Sequence, residues 1–279
     1  MGLYLRPTDL AEALAALAQA PLTVLAGGTD FYPARVGRPI DDDILDIGAL
    51  AGLRGIDGAG DHVRIGAATT WSDILAAELP EWLAGLKLAA REVGGLQIQN
   101  AGTIAGNLCN ASPAADGVPP LLALDAAVEL ASRLGERVVP LADFITGNRR
   151  TARRADELAT AVLVPKPRHA ARAGFAKLGA RKYLVISIVM VAVLLETLPD
   201  GTIAAARIAV GACSAVARRL AVLEHDLLGR KLAPGIGELV SASHLAALAP
   251  IDDVRAAAVY RSDAALALVA RSLEDLATP

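Results

Sequence analysis

The chain has 279 residues, of which 54% are hydrophobic and only 3% aromatic, and its net charge is −3 from 27 basic and 30 acidic residues. This length provides enough apolar material for one large domain or for two or three smaller ones. The scarcity of aromatic residues and the mixture of charge signs argue against a nucleic-acid-binding surface and a polybasic membrane anchor.

The first third of the chain is expected to combine short strands with helices. Asp9 and Glu12 have the spacing of a capping box, and the helix that follows should end at Pro21. Strands are expected at residues 22–25, 43–47 and 62–65. A glycine-rich turn at residues 55–58 would separate the last two strands. Helices are expected at residues 70–78 and 81–93.

The remainder of the chain is rich in predicted strands. Residues 118–130 are apolar around a central Asp125. The polar, proline-bearing segment 166–172 is the best candidate for a domain boundary. Strands are expected at residues 137–140, 158–164, 174–178, 184–196 and 203–210, and helices at residues 215–229 and 253–277. Because strands and helices do not alternate steadily as βαβ units, this order predicts an α+β fold and not a doubly wound sheet.

The apolar run at residues 183–195 is shorter than the roughly 20 residues needed to cross a bilayer, so a buried strand is expected and no integral membrane segment. The N-terminus has no basic region followed by an apolar stretch, so no secretory signal is expected and the expected location is cytoplasmic. Two cysteines, Cys109 and Cys213, cannot form a disulfide framework, a four-cysteine zinc site or an iron–sulfur cluster. The four histidines lack metal-ligand spacing, so no metal ligand is expected.

Two glycine-rich segments carry the functional signal. The first, residues 26–30 (Ala-Gly-Gly-Thr-Asp), directly follows a predicted strand. Gly27 and Gly28 permit positive φ and allow backbone N–H groups to face an anion without an intervening side chain. The pattern is not the G-x-G-x-x-G fingerprint of a Rossmann fold, and two glycines after a strand are by themselves more often a plain turn than a phosphate site.

The second segment, residues 93–116, contains four glycines and three asparagines in an otherwise apolar chain. It is predicted to be a long glycine-rich loop, and loops of this length are commonly functional. Four apolar residues are interleaved with the polar ones, which indicates partial burial: Leu96, Ile98, Ile104 and Leu108. A polar ligand would then satisfy the asparagines and Thr103.

Together and in this order, the two segments resemble those of the FAD-binding subunit of the molybdenum hydroxylases, the family of xanthine dehydrogenase, aldehyde oxidoreductase and aerobic carbon monoxide dehydrogenase. The resemblance covers nearly the whole chain. It implies a two-part FAD-binding domain of the vanillyl-alcohol-oxidase/PCMH type at residues 1–168, with subdomains at about 1–55 and 56–168. A smaller α+β C-terminal domain of the carbon monoxide dehydrogenase flavoprotein type, an antiparallel sheet with helices, would follow at residues 172–279.

The resemblance also implies which residues contact FAD. Residues 24–31 would line the diphosphate, with Phe31 at the edge of the isoalloxazine ring, and Thr103, Gly106 and Asn107 would hold the diphosphate from the other side. The backbone near Ala159 would meet the flavin. The full expected set is Val24, Leu25, Ala26, Gly27, Gly28, Thr29, Asp30, Phe31, Gly102, Thr103, Ile104, Ala105, Gly106, Asn107, Asp116, Ala159, Lys177 and Ile186.

Three members of this set lie further along the chain. By resemblance, Asp116 would contact the ribose of the adenosine half, Lys177 would lie near the flavin, and Ile186 would belong to a segment that covers one face of the ring. A cation near the flavin pyrimidine would stabilise the anionic reduced form, so the role of Lys177 would be electronic.

The resemblance implies a subunit that carries electrons and does not contact the substrate, so no catalytic side chain is expected. A large partner with molybdopterin would oxidise the substrate, and a small partner with two [2Fe–2S] clusters would relay electrons. The FAD of this chain would pass them to NAD, a quinone, oxygen or another acceptor. Leu184 stands where NAD-reducing relatives of animal type carry an aspartate, which bears on the acceptor. The chain also lacks the extra cysteines of the hydroxybenzoyl-CoA reductase type.

Two alternatives are weighed against this interpretation. A free-standing FAD-dependent oxidase or dehydrogenase of a small alcohol or aldehyde would need His or Tyr bases, and the chain after Phe175 offers few. A scaffold that has lost its flavin is disfavoured by the intact glycines. Cys109 has no histidine partner and is not expected to be a nucleophile, and a covalent link to flavin there would depart from the family. The basic cluster of residues 149–154 is interpreted as a solvated face or a subunit contact: Arg149, Arg150, Arg153 and Arg154.

Overall fold

The first layer of the molecule is a small parallel sheet covered by one helix. In the computed structural model, which describes residues 2–278, it contains β1 (Tyr4–Leu5), α1 (Leu10–Gln19), β2 (Thr23–Leu25) and β3 (Ile44–Asp46), with the sheet order β1–β3–β2. Asp9 caps α1 as the sequence predicts, because its carboxylate accepts hydrogen bonds from the backbone N–H groups of Ala11 and Glu12. Strand β2 leads directly into the first glycine-rich segment.

The second layer is an antiparallel sheet with helices on it. Its elements are β4 (Ile56–Ala59), β5 (His62–Gly66), α2 (Trp71–Ala76), α3 (Ala84–Glu92), α4 (Leu96–Ala101), α5 (Ile104–Asn110), α6 (Val118–Ala123), β6 (Ala127–Ser132), β7 (Gly135–Pro140), α7 (Leu141–Phe144), β8 (Ile145–Gly147), β9 (Arg150–Thr151) and β10 (Leu158–Pro165). The five-stranded sheet has the order β4–β5–β10–β6–β7, and β8 and β9 form a separate hairpin. Trp71 and Phe144 are buried in its core. Strand β10 joins the two layers, because Leu158 packs in the first core and Val162 in the second.

The third layer is a four-stranded antiparallel sheet. Its elements are β11 (Ala170–Leu178), β12 (Val189–Thr197), β13 (Ile203–Gly211), β14 (Arg218–Arg219), α8 (Ala221–Leu227) and α9 (Ala258–Ala277), and the strands follow one another in chain order. Helices α8 and α9 pack on this sheet and build a separate core with it. Helices α3 and α6 of the second layer also pack on its strands, which explains why β12 is buried along almost its whole length.

Several element boundaries differ from the sequence prediction. Residues 55–58 do not form a turn: β4 pairs with β5 here, and the turn lies at residues 60–61. The strand expected from residue 184 starts at Val189, because Leu184 has a φ of +52° and its carbonyl oxygen accepts hydrogen bonds from Arg181. The helix expected at 253–277 starts at Ala258, because residues 252 and 253 use their carboxylates in local turns.

The α+β fold class is confirmed, with mixed parallel and antiparallel sheets and helices in the first two layers, followed by an antiparallel C-terminal sheet with helices. Within residues 2–278, no helix is both long enough and apolar enough to cross a membrane.

Candidate functional site

A cleft of about 770 Å³ opens between the first and second layers. This volume lies within the range of small-molecule and cofactor pockets. Its walls come from the segment after β2, from helices α4 and α5 with their junction, from the β8–β9 turn and from the start of β10. Fourteen of the residues expected to bind the cofactor line it: Val24, Leu25, Ala26, Gly27, Gly28, Thr29, Asp30, Phe31, Gly102, Thr103, Ala105, Gly106, Asn107 and Ala159.

The first wall is the loop at residues 26–31, here called the first loop. Gly28 has a φ of +69°, which residues with a side chain rarely adopt. A Cβ at Gly27 would overlap the carbonyl group of Ala101, so only glycine allows the first loop to lie directly against the end of α4. The two glycine-rich segments are therefore in backbone contact.

The backbone N–H groups of the first loop are unusually free. Those of residues 27–31 donate no hydrogen bond to any group within residues 2–278, although Tyr32 and Ala34 just beyond donate to the carbonyl oxygens of Gly28 and Asp30. A run of free N–H groups beside a cleft creates a partial positive charge that favours an anion. The first loop is thus built to receive an anionic group or ordered water.

The second wall is helical, so the prediction of a long loop at residues 93–116 was wrong. Helices α4 and α5 meet at Gly102, and the hydroxyl oxygen of Thr103 caps α5 by accepting from the N–H of Gly106. Tertiary hydrogen bonds hold the junction, because the N–H groups of Ile104 and Ala105 donate to the carbonyl oxygens of Thr69 and Ala67. These long-range contacts outweigh the low helix propensity of glycine and asparagine.

Burial along this wall also differs in part from expectation. Ile104 and Leu108 are fully buried and face the core, whereas Leu96 and Ile98 are exposed. Ile104 therefore does not line the cleft with its neighbours. Because the first N–H groups of α5 already have protein partners, the free donors for an anion are those of the first loop.

Asn107 provides an independent sign of a ligand. Its side-chain oxygen is buried and has no hydrogen-bond partner among the described residues. This atom lies near Trp71 and Gly117, inside the wall of the cleft. An unpaired buried amide oxygen costs free energy, so a polar ligand with a donor group fits the site. The contact of Gly27 with Ala101 and the unpaired oxygen of Asn107 both fit a dinucleotide cofactor.

Asp116 and Lys177 form a buried ion pair beside the cleft. Lys177 Nζ lies 2.8 Å from Asp116 Oδ2 and also donates to the carbonyl oxygen of Glu92 at 3.1 Å. Ser187 Oγ donates to Asp116 Oδ1 at 2.8 Å, a partner that sequence reasoning missed. Burial raises the pKa of Asp116, and the charge of Lys177 opposes this shift. The pair adjoins the cleft through Val93, which follows Glu92 and lines it.

The contact between Asp116 and Lys177 bears on their expected roles at the cofactor, which remain predictions. Asp116 was expected at the adenosine ribose and Lys177 at the flavin, yet their charged atoms touch. Their charged groups therefore lie at the same site beside the cleft, and neither residue is among those that line the cleft itself. Ile186 is also outside the lining, in the loop between β11 and β12, where its side chain is half exposed.

Sequence reasoning missed three arginines that line the cleft: Arg35, Arg149 and Arg153. Arg35 is held by Asp42, with nitrogen–oxygen distances of 2.7 and 2.5 Å, and its guanidinium lies 3.7 Å from the centre of the Phe31 ring. The other two belong to the basic cluster that was interpreted as a solvated face or a subunit contact, and the guanidinium of Arg149 is indeed about half exposed, but both residues also line the cleft. The basic cluster at residues 149–154 is the sequence signal that could have suggested Arg149 and Arg153.

Cys109 also lines the cleft. Burial raises the pKa of its thiol to about 11, and the positive charge of Arg153 only partly offsets this effect. The thiol is therefore protonated at neutral pH and unsuited to nucleophilic attack.

Among the residues that line the cleft, none is a histidine and the only carboxylate is that of Asp30.

Comparison with known proteins agrees with this geometry. The family described as "FAD binding domain in molybdopterin dehydrogenase" matches residues 1–167, and the "CO dehydrogenase flavoprotein C-terminal domain" matches residues 175–276. The FAD subunit of nicotinate dehydrogenase from Eubacterium barkeri is 37% identical over 196 residues, which is 67% of this chain and 66% of that subunit. The putative xanthine dehydrogenase FAD-binding subunit of Escherichia coli is 33% identical over 264 residues, with 92% and 90% of the two chains covered.

A solved structure has the same fold over the whole chain. Carbon monoxide dehydrogenase from Hydrogenophaga pseudoflava, in a form that lacks the Mo-pyranopterin moiety of its cofactor, superposes with a TM-score of 0.88 and 28% identity. The superposition covers 99% of this chain and 96% of the matched one.

Proposed function

This chain belongs to the family of FAD-binding domains of molybdopterin dehydrogenases, and from that premise we propose that its cleft binds FAD with the diphosphate against the first loop. The observation that carries this proposal is the run of free backbone N–H groups at residues 27–31. A diphosphate would supply the acceptors that these donors lack. Gly102 and Thr103 would close the site from the side of α4 and α5.

We assign the isoalloxazine ring to the end of the cleft at Val93. The Asp116–Lys177 pair lies beside that end, because Lys177 donates to the carbonyl oxygen of Glu92, the neighbour of Val93. Asn107, which the resemblance places at the diphosphate, would bond the cofactor through its amide. Lys177 would then place a positive charge near the ring, while Asp116 and Ser187 hold the lysine in position. Ala159 would contribute a backbone contact.

The part of this chain in the reaction is to hold and tune an electron carrier. FAD, when bound, supplies the ability to take up electrons singly or in pairs. The protein would orient the ring, pair the diphosphate and exclude water from the cleft. No histidine lines the cleft, which favours electron transfer over the alternative of a free-standing oxidase with its own base.

The proposed partners are a large molybdopterin-binding subunit and a small [2Fe–2S] subunit. Several similar proteins are described as medium chains, which implies larger and smaller companions: one is that of carbon monoxide dehydrogenase from Afipia carboxidovorans, 36% identical over 175 residues. Electrons would reach the flavin from the iron–sulfur clusters and leave to NAD, a quinone, oxygen or another carrier. Within residues 2–278 there is no cluster of side chains that could hold a metal ion.

Two measurements test this proposal. The first is the visible spectrum of the full chain, purified and titrated with FAD: a chain that cannot take up FAD would refute it. The second is purification of the native complex with metal analysis. Molybdenum and iron on co-purifying chains support the electron-transfer subunit, whereas a flavoprotein that is alone and oxidises a small alcohol supports the alternative.

A further inference from the structure

Two arginines of the basic cluster at residues 149–154 face the cleft and two do not. Arg149 and Arg153 line it, whereas Arg150 and Arg154 are exposed and outside the lining. Arg149 lies in the turn of the β8–β9 hairpin, which packs on the C-terminal end of α5, and Arg153 lies between β9 and β10. The N–H of Arg149 donates to the carbonyl oxygen of Ala111 at 2.9 Å, which fixes the turn there.

Arg149 connects the two walls of the cleft. Its Nη1 donates to Asn110 Oδ1 at the end of α5, and the same atom lies 3.8 Å from Asp30 Oδ1 in the first loop. The backbone of Arg149 has a φ of +57°, a left-handed conformation that is uncommon for residues other than glycine. The guanidinium is about half exposed, so it remains accessible to a ligand in the cleft.

Arg153 is a cation with no carboxylate partner among the described residues. Its Nη1 donates to the carbonyl oxygens of Glu157 at 2.6 Å and Arg154 at 3.0 Å, while Nε and Nη2 donate to no described group. The two bonds hold the guanidinium at the start of β10, close enough to Cys109 for its charge to act on that thiol. It is therefore held in place with donors to spare.

The charged side chains that line the cleft, taken with their ion-pair partners, carry a net positive charge. Arg35 is neutralised by Asp42, and Asp30 faces Arg149, so the charge of Arg153 is not compensated. The negative charge of FAD resides in its diphosphate, and arginine binds phosphate oxygens through paired N–H donors. We infer that Arg149 and Arg153 bind the FAD diphosphate together with the N–H groups of the first loop. This inference rests on the proposed function.

This arrangement has a consequence for selectivity. Riboflavin has the same ring but no phosphate, so the arginines would strengthen binding of FAD and ADP without affecting binding of riboflavin. The contribution would also weaken as ionic strength increases, because half-exposed charges are screened by salt.

The test is a titration of the full chain, freed of flavin, with FAD, ADP and riboflavin. We expect Arg149→Gln and Arg153→Gln each to weaken the binding of FAD and of ADP about 10-fold, and the double variant to weaken it about 100-fold. Hydrogen bonds to charged groups are stronger than those between neutral groups. The affinity for riboflavin should change less than about twofold. The variants Arg149→Lys and Arg153→Lys should retain part of the affinity for FAD. The matched controls are Arg150→Gln and Arg154→Gln, which should bind FAD as the parent chain does. Thermal unfolding of each variant verifies that it folds.

Three outcomes overturn the inference. If the parent chain binds FAD and the double variant binds it equally well, the arginines do not contact the diphosphate. If the double variant loses as much affinity for riboflavin as for FAD, the two arginines act only on the structure of the cleft. A parent chain that does not bind FAD overturns both this inference and the proposed function, and the parent titration identifies that case.

Discussion

Replacement of Lys177 by methionine tests the buried ion pair directly. The side chains of Lys177 and Asp116 are only 5% and 10% exposed, and their charged atoms lie 2.8 Å apart. Methionine fills a similar volume but leaves the Asp116 carboxylate buried, with the hydroxyl of Ser187 as its remaining side-chain partner among the described residues. It also removes the donor to the carbonyl oxygen of Glu92.

The expected loss of unfolding free energy at pH 7 is about 3–5 kcal/mol, the usual cost of removing one partner of a buried pair. A pH dependence should accompany it. Burial already raises the pKa of Asp116, and loss of the lysine raises it further. A carboxyl whose folded pKa is raised favours the folded state at low pH and opposes it as pH increases. The deficit of the variant should therefore be smallest below the pKa of Asp116 in the parent chain and grow, by up to about 1.4 kcal/mol per pH unit, as pH increases above it.

Urea unfolding of the chain without flavin, at a series of pH values, measures both effects. Lys231→Met is the matched control, because Lys231 and Asp200 form a pair of similar length, 2.7 Å, with side chains 57% and 62% exposed. Its cost should be about 0–1 kcal/mol. The double variant Lys177→Met with Asp116→Leu should recover much of the loss. Equal costs for Lys177→Met and Lys231→Met at pH 7 would refute the reasoning.

Three further predictions concern the first loop, the cap of α2 and Cys109. Gly27→Ala places a Cβ on the backbone at the end of α4 and should weaken FAD at least 10-fold, whereas Gly52→Ala, whose Cβ would meet nothing within 4 Å, should leave the affinity unchanged in the same titration. The hydrogen bonds from Arg54, with those of the α2 cap, lower the pKa of Asp73 to about 2. Asp73→Asn should therefore cost about 1 kcal/mol at pH 7 after solvent screening, a difference that urea unfolding should show disappearing as pH falls from 4 to 2. At pH 8 the Cys109 thiol, with its pKa of about 11, should react with a thiol reagent on the order of 100-fold more slowly than a free cysteine; a rapid reaction in the folded chain would contradict the burial.

The sequence predicted what depends on local chemistry. The Asp9 cap of α1, for example, involves residues within three positions of one another. The composition of the long apolar run likewise predicted a buried strand, although its start was placed five residues too early. Lys177 and Asp116 are 61 positions apart in the sequence, so their contact has no local sequence signal and can be identified only in the folded structure.

The helices at residues 96–110 show why the secondary structure of the second wall could not be predicted correctly from the sequence. Glycine and asparagine favour loops when only neighbours are considered. The decisive contacts come instead from the carbonyl oxygens of Ala67 and Thr69, more than 30 positions earlier. The same applies to Arg149, which reaches the cleft only because a hairpin packs its turn on the end of α5.

The walls of the cleft come from two separately packed cores, and this has a thermodynamic consequence. The first loop belongs to the layer of β1 to β3, while α4, α5 and the β8–β9 turn belong to the second layer. A ligand that contacts both walls stabilises their docking, because it binds the assembled cleft better than the separated layers. At an FAD concentration 100 times its Kd, this linkage amounts to about 2.7 kcal/mol. FAD should therefore protect the amides of the first loop and of α5 together from hydrogen exchange, while the third layer, which contributes no residue to the cleft lining, changes less.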